Sequence, residues 1–215
     1  MNLLWILIAR DVRLAFGRGG VWLPVIFFLL VATLYPFGVG PDGALLARTG
    51  GGVLWIAALL ASLLPIDRLI APDADAGILD QFAVRGISDE WIAGARMTAH
   101  WLTFGPALML AAVPAAGLLR LSGDTLMRLE LGLLLGTPGL AALSVMVAAL
   151  TAGVRGAGAL AGLLLLPLAV PLLIFGAGSL EPGGMSAVKY LAAYALLLVA
   201  ITPFAAGGAI RAMRE

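Results

Sequence analysis

Charged residues divide the chain into six long uncharged segments. Each segment holds 18 to 25 consecutive residues without Asp, Glu, Lys or Arg; the bounding pairs are Arg18 and Asp42, Arg48 and Asp67, Arg96 and Arg120, Glu130 and Arg155, Arg155 and Glu181, and Lys189 and Arg211. A charged side chain at the bilayer centre costs about 2.5–3.5 kcal/mol, and about 20 apolar residues cross the hydrocarbon core as a helix. The apolar residues run continuously instead of alternating, which favours helices over strands. The pattern predicts an all-α integral membrane protein with six transmembrane helices near 20–40, 50–67, 97–119, 131–151, 157–178 and 190–210.

The segment 3–17 is too polar to be a seventh span, because Arg10, Asp11 and Arg13 interrupt it. We expect these three charges on one side of a helix, with Leu3, Leu7 and Leu14 near the opposite side. Such a segment is typical of an amphipathic helix that lies on the membrane surface. A frayed apolar N-terminus is the alternative.

The segment 68–95 is the longest polar stretch between spans. Six of the twelve acidic residues of the chain lie between Pro65 and Arg96. Asp73 or Asp75 is a candidate cap for a short helix. On that helix Ile78, Leu79 and Phe82 would form an apolar stripe, next to Asp80. The pattern predicts a coupling helix in a loop that docks on another protein, with an ordinary solvated loop as the alternative.

The distribution of Arg and Lys predicts the orientation in the membrane. An even number of spans places both termini on one side. If that side is cytoplasmic, nine basic residues lie inside and four outside, which obeys the positive-inside rule. The inside set is Arg10, Arg13, Arg18, Arg68, Arg85, Arg96, Arg155, Arg211 and Arg214, and the outside set is Arg48, Arg120, Arg128 and Lys189. We therefore expect cytoplasmic termini.

The composition agrees with a single transmembrane domain over residues 1–215. Hydrophobic residues make up 62% of the chain and charged residues 12%, whereas soluble domains average about 45–50% and 25%. A net charge of +1 gives no reason to expect nucleic acid binding, and the absence of Cys excludes disulfides and thiolate metal sites. The start MNLLWILIARDVR has apolar residues before basic ones, so we expect no cleaved signal peptide.

The chain lacks the residues for an energy-coupling reaction of its own. The phosphate-binding loop requires a Gly-Lys-Ser/Thr sequence, but Lys189 is the single Lys and has no such neighbours. No charged residue lies deep inside a predicted span, which disfavours ion-driven transport. We expect no catalytic residues, no bound cofactor or metal, and an energy source in a separate subunit.

His100 and Trp101 are the polar candidates within the third predicted span. His100 is the single His of the chain. It is a candidate ligand for haem iron or a metal, or else a hydrogen-bonding group against a neighbouring helix. Gly132/Gly136 and Gly158/Gly162 have the spacing of close helix contacts, and Pro167 with Pro171 predicts a bent fifth span.

Several stretches closely resemble the CcmB family, the haem exporter protein B family of bacterial cytochrome c maturation. The resemblance covers nearly the whole chain, in order, and is carried by ALLARTGGGVLWIAALLASLLPIDRLIAPDADAGILDQF at 44–82, TLYPFGVGPD at 33–42, ARMTAHWLTFGPAL at 95–108, LLLGTPGL at 133–140 and LPLAVPLLIF at 166–175.

The resemblance implies the permease subunit of an ATP-binding cassette (ABC) transporter in the bacterial inner membrane. Its implied partners are the ATPase CcmA, which binds the ATP, the membrane proteins CcmC and CcmD, indirectly the haem chaperone CcmE, and a second copy of the chain. Its implied role is export of haem as substrate, or ATP-driven release of the haem-loaded chaperone. A permease for another substrate, such as a lipid-linked polysaccharide or a drug, is the alternative. The expected ATPase-coupling residues are Asp73, Asp75, Ile78, Leu79, Asp80 and Phe82, and the candidate haem or interhelix contacts are His100 and Trp101.

Overall fold

The computed structural model describes residues 3–17, 20–152 and 157–214, and these residues form helices and their connections without a strand. Arg18 and Arg155 of the sequence-based segments lie outside the described residues, as do the side chains of Leu3 and of residues 157–161. The helices are α1 (Leu3–Gly17), α2 (Trp22–Val39), α3 (Gly43–Leu63), α4 (Ala71–Asp75), α5 (Ile78–Val84), α6 (Asp89–Leu118), α7 (Gly123–Thr151), α8 (Ala157–Gly178) and α9 (Met185–Ala212). A 3₁₀ turn at Ile66–Arg68 joins α3 to α4.

Five helical segments are long and apolar enough to cross a membrane. They are Trp22–Val39, Gly43–Asp75, Asp89–Leu118, Gly123–Thr151 and Met185–Ala212. They match five of the six predicted transmembrane segments in length and composition. In α8 the fully described apolar part, Gly162–Gly178, is shorter, so the predicted span near 157–178, the fifth along the chain, stays a prediction.

Side-chain caps precede α3 and α7 at one end of the bundle. Asp42 precedes α3 and accepts hydrogen bonds from the amides of Ala44 and Leu45, at 2.9 and 3.3 Å. Ser122 precedes α7 and accepts one from the Thr125 amide at 3.1 Å. Each cap satisfies amide groups that the first helical turn leaves unpaired. The connections α2–α3, α6–α7 and α8–α9 lie at this end, so α1, the segment 64–88 and the C-terminus lie at the other.

The core of the bundle is built around α7, which packs against α3, α6, α8 and α9. Trp55 of α3 is 1% exposed and fills a groove in which glycines replace side chains. A Cβ atom at Gly132 or Gly136 would lie 3.0 or 2.6 Å from the Trp55 ring. The predicted small-residue pair on α7 is therefore a close-contact site, but it accommodates an indole ring. The second pair differs, since Gly162 has open space around it.

Helix α1 packs against α6, and its predicted sidedness is wrong. Leu7 is buried, at 6% exposure, and lies on the same side as Arg10 and Asp11, because residues three and four apart share a helix face. The side turned away from the bundle is aromatic, aliphatic and basic: Trp5, Ile6, Arg13 and Phe16. This composition still suits a helix at a membrane surface.

The predicted loop 68–95 is largely helical. It contains α4, α5 and the first turns of α6, which begins at Asp89, before the predicted span at 97. Neither Asp73 nor Asp75 caps α5, contrary to expectation: Gly77 precedes that helix in a left-handed conformation (φ 66°), without a side-chain cap. Asp73 instead lies inside α4, where ion pairs occupy its carboxylate.

Candidate functional site at the charged end of the bundle

The segment from Ile66 to Ser88 folds back onto the bundle. Ile70, Leu79 and Ile87 have exposed fractions of 0%, 3% and 9%, so buried apolar side chains lie just before α4, within α5 and shortly before α6. Gly86, at a φ of 72°, is the second left-handed glycine of the segment and precedes α6. The apolar side chains attach α4 and α5 to the helices, and the segment is a packed structural element.

An ion cluster joins this segment to α1 and α6. Asp73 accepts a hydrogen bond from Arg10 at 2.6 Å and a second, also to Oδ2, from Arg96. Arg96 further donates to the carbonyl oxygen of Leu69. Asp11 completes the cluster, with its oxygens 3.4 Å from Arg10 Nη1 and 4.0 Å from Arg96 Nε. Residues from three separate elements thus share one network, which we call the Asp73 cluster.

The two carboxylates of the Asp73 cluster have different surroundings. Burial raises the pKa of Asp11, and the attraction of Arg96 and Arg10 does not fully offset it. Asp73 has the shorter contacts and two guanidinium partners. Charge-assisted hydrogen bonds are roughly twice as strong as neutral ones. Asp73 is therefore the principal anionic bridge of the cluster.

A second cluster holds α5 and the start of α6 to the C-terminal end of α9. Arg214 donates to Asp89 and, at 3.2 Å, to the carbonyl oxygen of Leu79. Arg211 pairs with Glu90 at 2.6 Å and lies 3.6 Å from Asp89. We call this set the Asp89 cluster.

Gly207 brings the two helices of the Asp89 cluster together. A Cβ atom there would lie 2.9 Å from the backbone nitrogen of Glu90. Cationic groups near the first turn of a helix are unfavourable unless acidic residues lie between them, and Asp89 with Glu90 supply those acids. The clusters hold the 66–88 segment at two points, Asp73 and the carbonyl oxygen of Leu79.

The expected ATPase-coupling residues separate into an inner and an outer group. Asp73 and Leu79 are buried, and Ile78 and Phe82 are half-buried. Phe82 lies under Arg10, whose guanidinium carbon is 5.7 Å from the ring centroid. The exposed group is Asp75 and Asp80, together with Val84, which is 89% exposed.

Sequence reasoning missed Arg10, Arg96 and Arg214 as partners of this segment. Arg10 and Asp73 are 63 residues apart, and Arg214 and Leu79 are 135 apart. No periodicity links positions so distant. The one available signal was that Arg10 and Asp11 share a helix face with Leu7.

His100 and Trp101, both on α6, contact different neighbours. Trp101 donates from Nε1 to Thr137 Oγ1 of α7 at 3.1 Å, a contact between helices. His100 is 5% exposed and stacks on Phe104, with ring centroids 4.7 Å apart. Within the described ranges, no group of three His, Asp or Glu side chains is placed to hold a metal ion.

A cavity of about 110 Å³ lies between α1, the start of α2, the 66–88 segment and α6. The Asp73 cluster forms one wall, and His100 with Phe104 lies on the α6 side. Arg68 also lines it, with an exposed side chain. This cavity is a concave feature at the charged end of the bundle.

These features define a class of protein: an α-helical membrane protein of several spans with a packed, charged connecting segment at one end. The family model described as CcmB protein matches residues 2–213. The chain belongs to the CcmB family.

Curated relatives align with nearly the full length of this chain. The heme exporter protein B of Rhodobacter capsulatus is 46% identical over 95% of this chain and 97% of its own. The proteins of the same name from Haemophilus influenzae and Escherichia coli K12 are 40% and 36% identical, over 95% and 96% of this chain and 96% and 97% of their own.

Proposed function

We propose that the chain is the permease subunit of an ABC complex that supports haem delivery for the maturation of c-type cytochromes. The name of the curated relatives supports the haem assignment. The lack of a phosphate-binding loop supports an ATPase on a separate subunit. The complex would contain CcmA as ATPase, CcmC and CcmD as membrane partners, and two copies of this chain, and would act on the chaperone CcmE.

In this proposal the chain crosses the bacterial inner membrane six times, with α8 as the fifth of the six spans. Both termini and the 66–88 segment are cytoplasmic, and α1 lies at the membrane surface. The Arg and Lys distribution supports this orientation. The exposed aromatic side chains Trp5 and Phe16 support the surface position of α1.

The observation that carries the proposed mechanism is the attachment of the 66–88 segment at two points. A segment fixed by the Asp73 cluster and the Asp89 cluster moves with α6 and α9, because charged contacts and buried apolar side chains resist separate motion. An ATPase that pushes on its outer face would therefore tilt these two helices. The segment would act as a lever between ATP hydrolysis and the membrane helices.

The outer face for the ATPase would consist of Asp75, Asp80 and Val84. Leu79 serves a different purpose, since a side chain that is 3% exposed supports the segment from beneath. A Leu79→Asp substitution would place a charge in the core and unfold the segment. The informative substitution is therefore on the outer face.

Val84→Asp tests the docking face. A carboxylate buried in an interface without a partner costs more than about 1 kcal/mol, so co-purification of the ATPase with Val84→Asp should fall at least fivefold while the variant keeps its thermal stability. Met127→Asp, also at an exposed position (73%) but at the opposite end of the bundle, is the matched control. Equal ATPase recovery with both variants would contradict docking at this face.

Two roles for the moving helices remain distinct. One is a haem path at the interface between two copies, and the other is release of the loaded chaperone from CcmC. ATP-dependent haem movement in vesicles that contain only this chain and its ATPase would favour the path. Absence of movement, together with haem that stays on the chaperone in cells, would favour release. A permease for another substrate is the competing class, and normal c-type cytochromes in a deletion strain would favour it.

A further inference from the structure

Two buried nitrogens in the wall of the 110 Å³ cavity lack hydrogen-bond partners in the described part of the chain. They are Nε of Arg96 and Nε2 of His100. Both residues line the cavity and are more than nine-tenths buried, with exposed fractions of 8% and 5%. The guanidinium Nε carries a hydrogen in every protonation state found in proteins, so it can only donate. A buried donor without an acceptor costs about 1–3 kcal/mol.

The two nitrogens belong to neighbouring positions of one helix face. Residues four apart on a helix have Cβ atoms about 5–6 Å from each other. A group with two or three oxygens can accept from both side chains at once. The imidazole also lies near the backbone of Ser62, and it donates to the ligand in the tautomer that carries its hydrogen on Nε2.

The charge of the cavity lining also favours an anion. Arg10, Arg68 and Arg96 contribute three positive charges, and Asp11 and Asp73 two negative ones. The carboxylates already pair with Arg10 and Arg96. Among the described residues Arg68 has no ion-pair partner, and its side chain is exposed. The surplus positive charge therefore lies with Arg68.

The size and the apolar part of the lining restrict the ligand. Pockets for whole drug-sized ligands measure about 300–1,000 Å³, so a 110 Å³ cavity fits one polar group. Leu14, Leu69 and Phe104 contribute apolar lining. An amphiphile can place its anionic group inside and leave its apolar part in the membrane.

We propose that this cavity binds the anionic oxygen group of a membrane amphiphile, which accepts hydrogen bonds from Arg96 and His100 and pairs with Arg68. The phosphate of an anionic phospholipid and a carboxylate of haem share this chemistry. The site uses no ATPase contact. The proposal of this site can therefore be wrong while the proposed function is right, and the proposed function can be wrong while the site exists.

The test uses the purified full chain in phosphatidylcholine nanodiscs. Phosphatidylglycerol is titrated and its retention measured by native mass spectrometry, and haem is titrated separately and followed by absorbance. The variants are Arg68→Gln, at an exposed position, and His100→Phe, which keeps a ring against Phe104. Arg85→Gln is the matched control, because Arg85 is exposed in the same segment but does not line the cavity.

Retention of either probe should weaken about fivefold in Arg68→Gln and about tenfold in His100→Phe, and should not change in Arg85→Gln. Weaker retention of phosphatidylglycerol alone identifies a lipid site, and weaker retention of haem alone identifies a site for a haem carboxylate. If neither probe is retained, or if retention is equal in all three variants, the proposal is wrong.

Discussion

Arg214 is the residue whose removal should release the 66–88 segment from the bundle. It donates to the carbonyl oxygen of Leu79 in α5 and to Asp89 at the start of α6. Its neighbour Arg211, one turn earlier, contacts Asp89 and Glu90 from a more exposed position, with side-chain exposures of 55% against 21%. The two arginines form a matched pair for testing the attachment.

The magnitude follows from the burial of Asp89. Its side chain is 5% exposed, and its Oδ1 has no hydrogen-bond partner among the described residues. Loss of a hydrogen bond to a charged group costs about 1.5–3 kcal/mol. Arg211 remains within 3.6 Å and offsets part of the loss. We expect Arg214→Gln to lower the local free energy of opening by about 2 kcal/mol, and Arg211→Gln by less than about 1 kcal/mol.

Hydrogen exchange of the amides at 78–88 measures this quantity, because exchange from a locally opening segment reports its opening free energy. A loss of about 2 kcal/mol corresponds to exchange that is roughly 30-fold faster. Amides at the centre of α7 should exchange at the unchanged rate. Equal exchange in Arg214→Gln and Arg211→Gln would refute the attachment, and so would a uniform increase over all helices.

Further predictions concern the core and the Asp73 cluster. Gly136→Ala should lower the free energy of unfolding by about 1–3 kcal/mol and with it the unfolding temperature in detergent, because its Cβ would lie 2.6 Å from the Trp55 ring. Gly162→Ala should leave that unfolding temperature unchanged or raise it. Asp73→Asn should destabilise by about 2 kcal/mol at neutral pH, since it leaves two guanidinium groups without their shared anion in a partly exposed setting. Asp11→Asn should cost less than about 0.5 kcal/mol, because the raised pKa of Asp11 means that burial already disfavours its charge. Similar losses in Asp73→Asn and Asp11→Asn would contradict the unequal roles of these carboxylates.

The membrane-spanning segments were predictable because their physical cause is local. A charge is costly anywhere in the hydrocarbon core, so a charge-free segment marks a span without knowledge of its neighbours. Arg96 shows the limit of this reasoning. It bounds a charge-free segment, yet α6 begins before it, at Asp89, because acids stabilise a first helical turn and Arg211 pairs with Glu90.

The charged end was less predictable because its partners come from distant parts of the chain. The acids of the 66–88 segment suggested exposed docking groups, but Asp73 is buried between α1 and α6. The apolar stripe was expected to face a partner, whereas Leu79 faces the bundle. An amphipathic pattern indicates that one face is covered and does not say by what.

The most direct test of the proposed function is deletion of the gene in its host, with complementation by the intact chain and by Arg214→Gln. Haem staining measures the c-type cytochromes, and the haem bound to the chaperone is measured in the same cells. We predict that the deletion abolishes the cytochromes and leaves haem on the chaperone. The intact chain should restore both the cytochromes and the release of haem from the chaperone, and Arg214→Gln should restore them only in part. Normal cytochromes in the deletion strain would contradict the role in cytochrome c maturation.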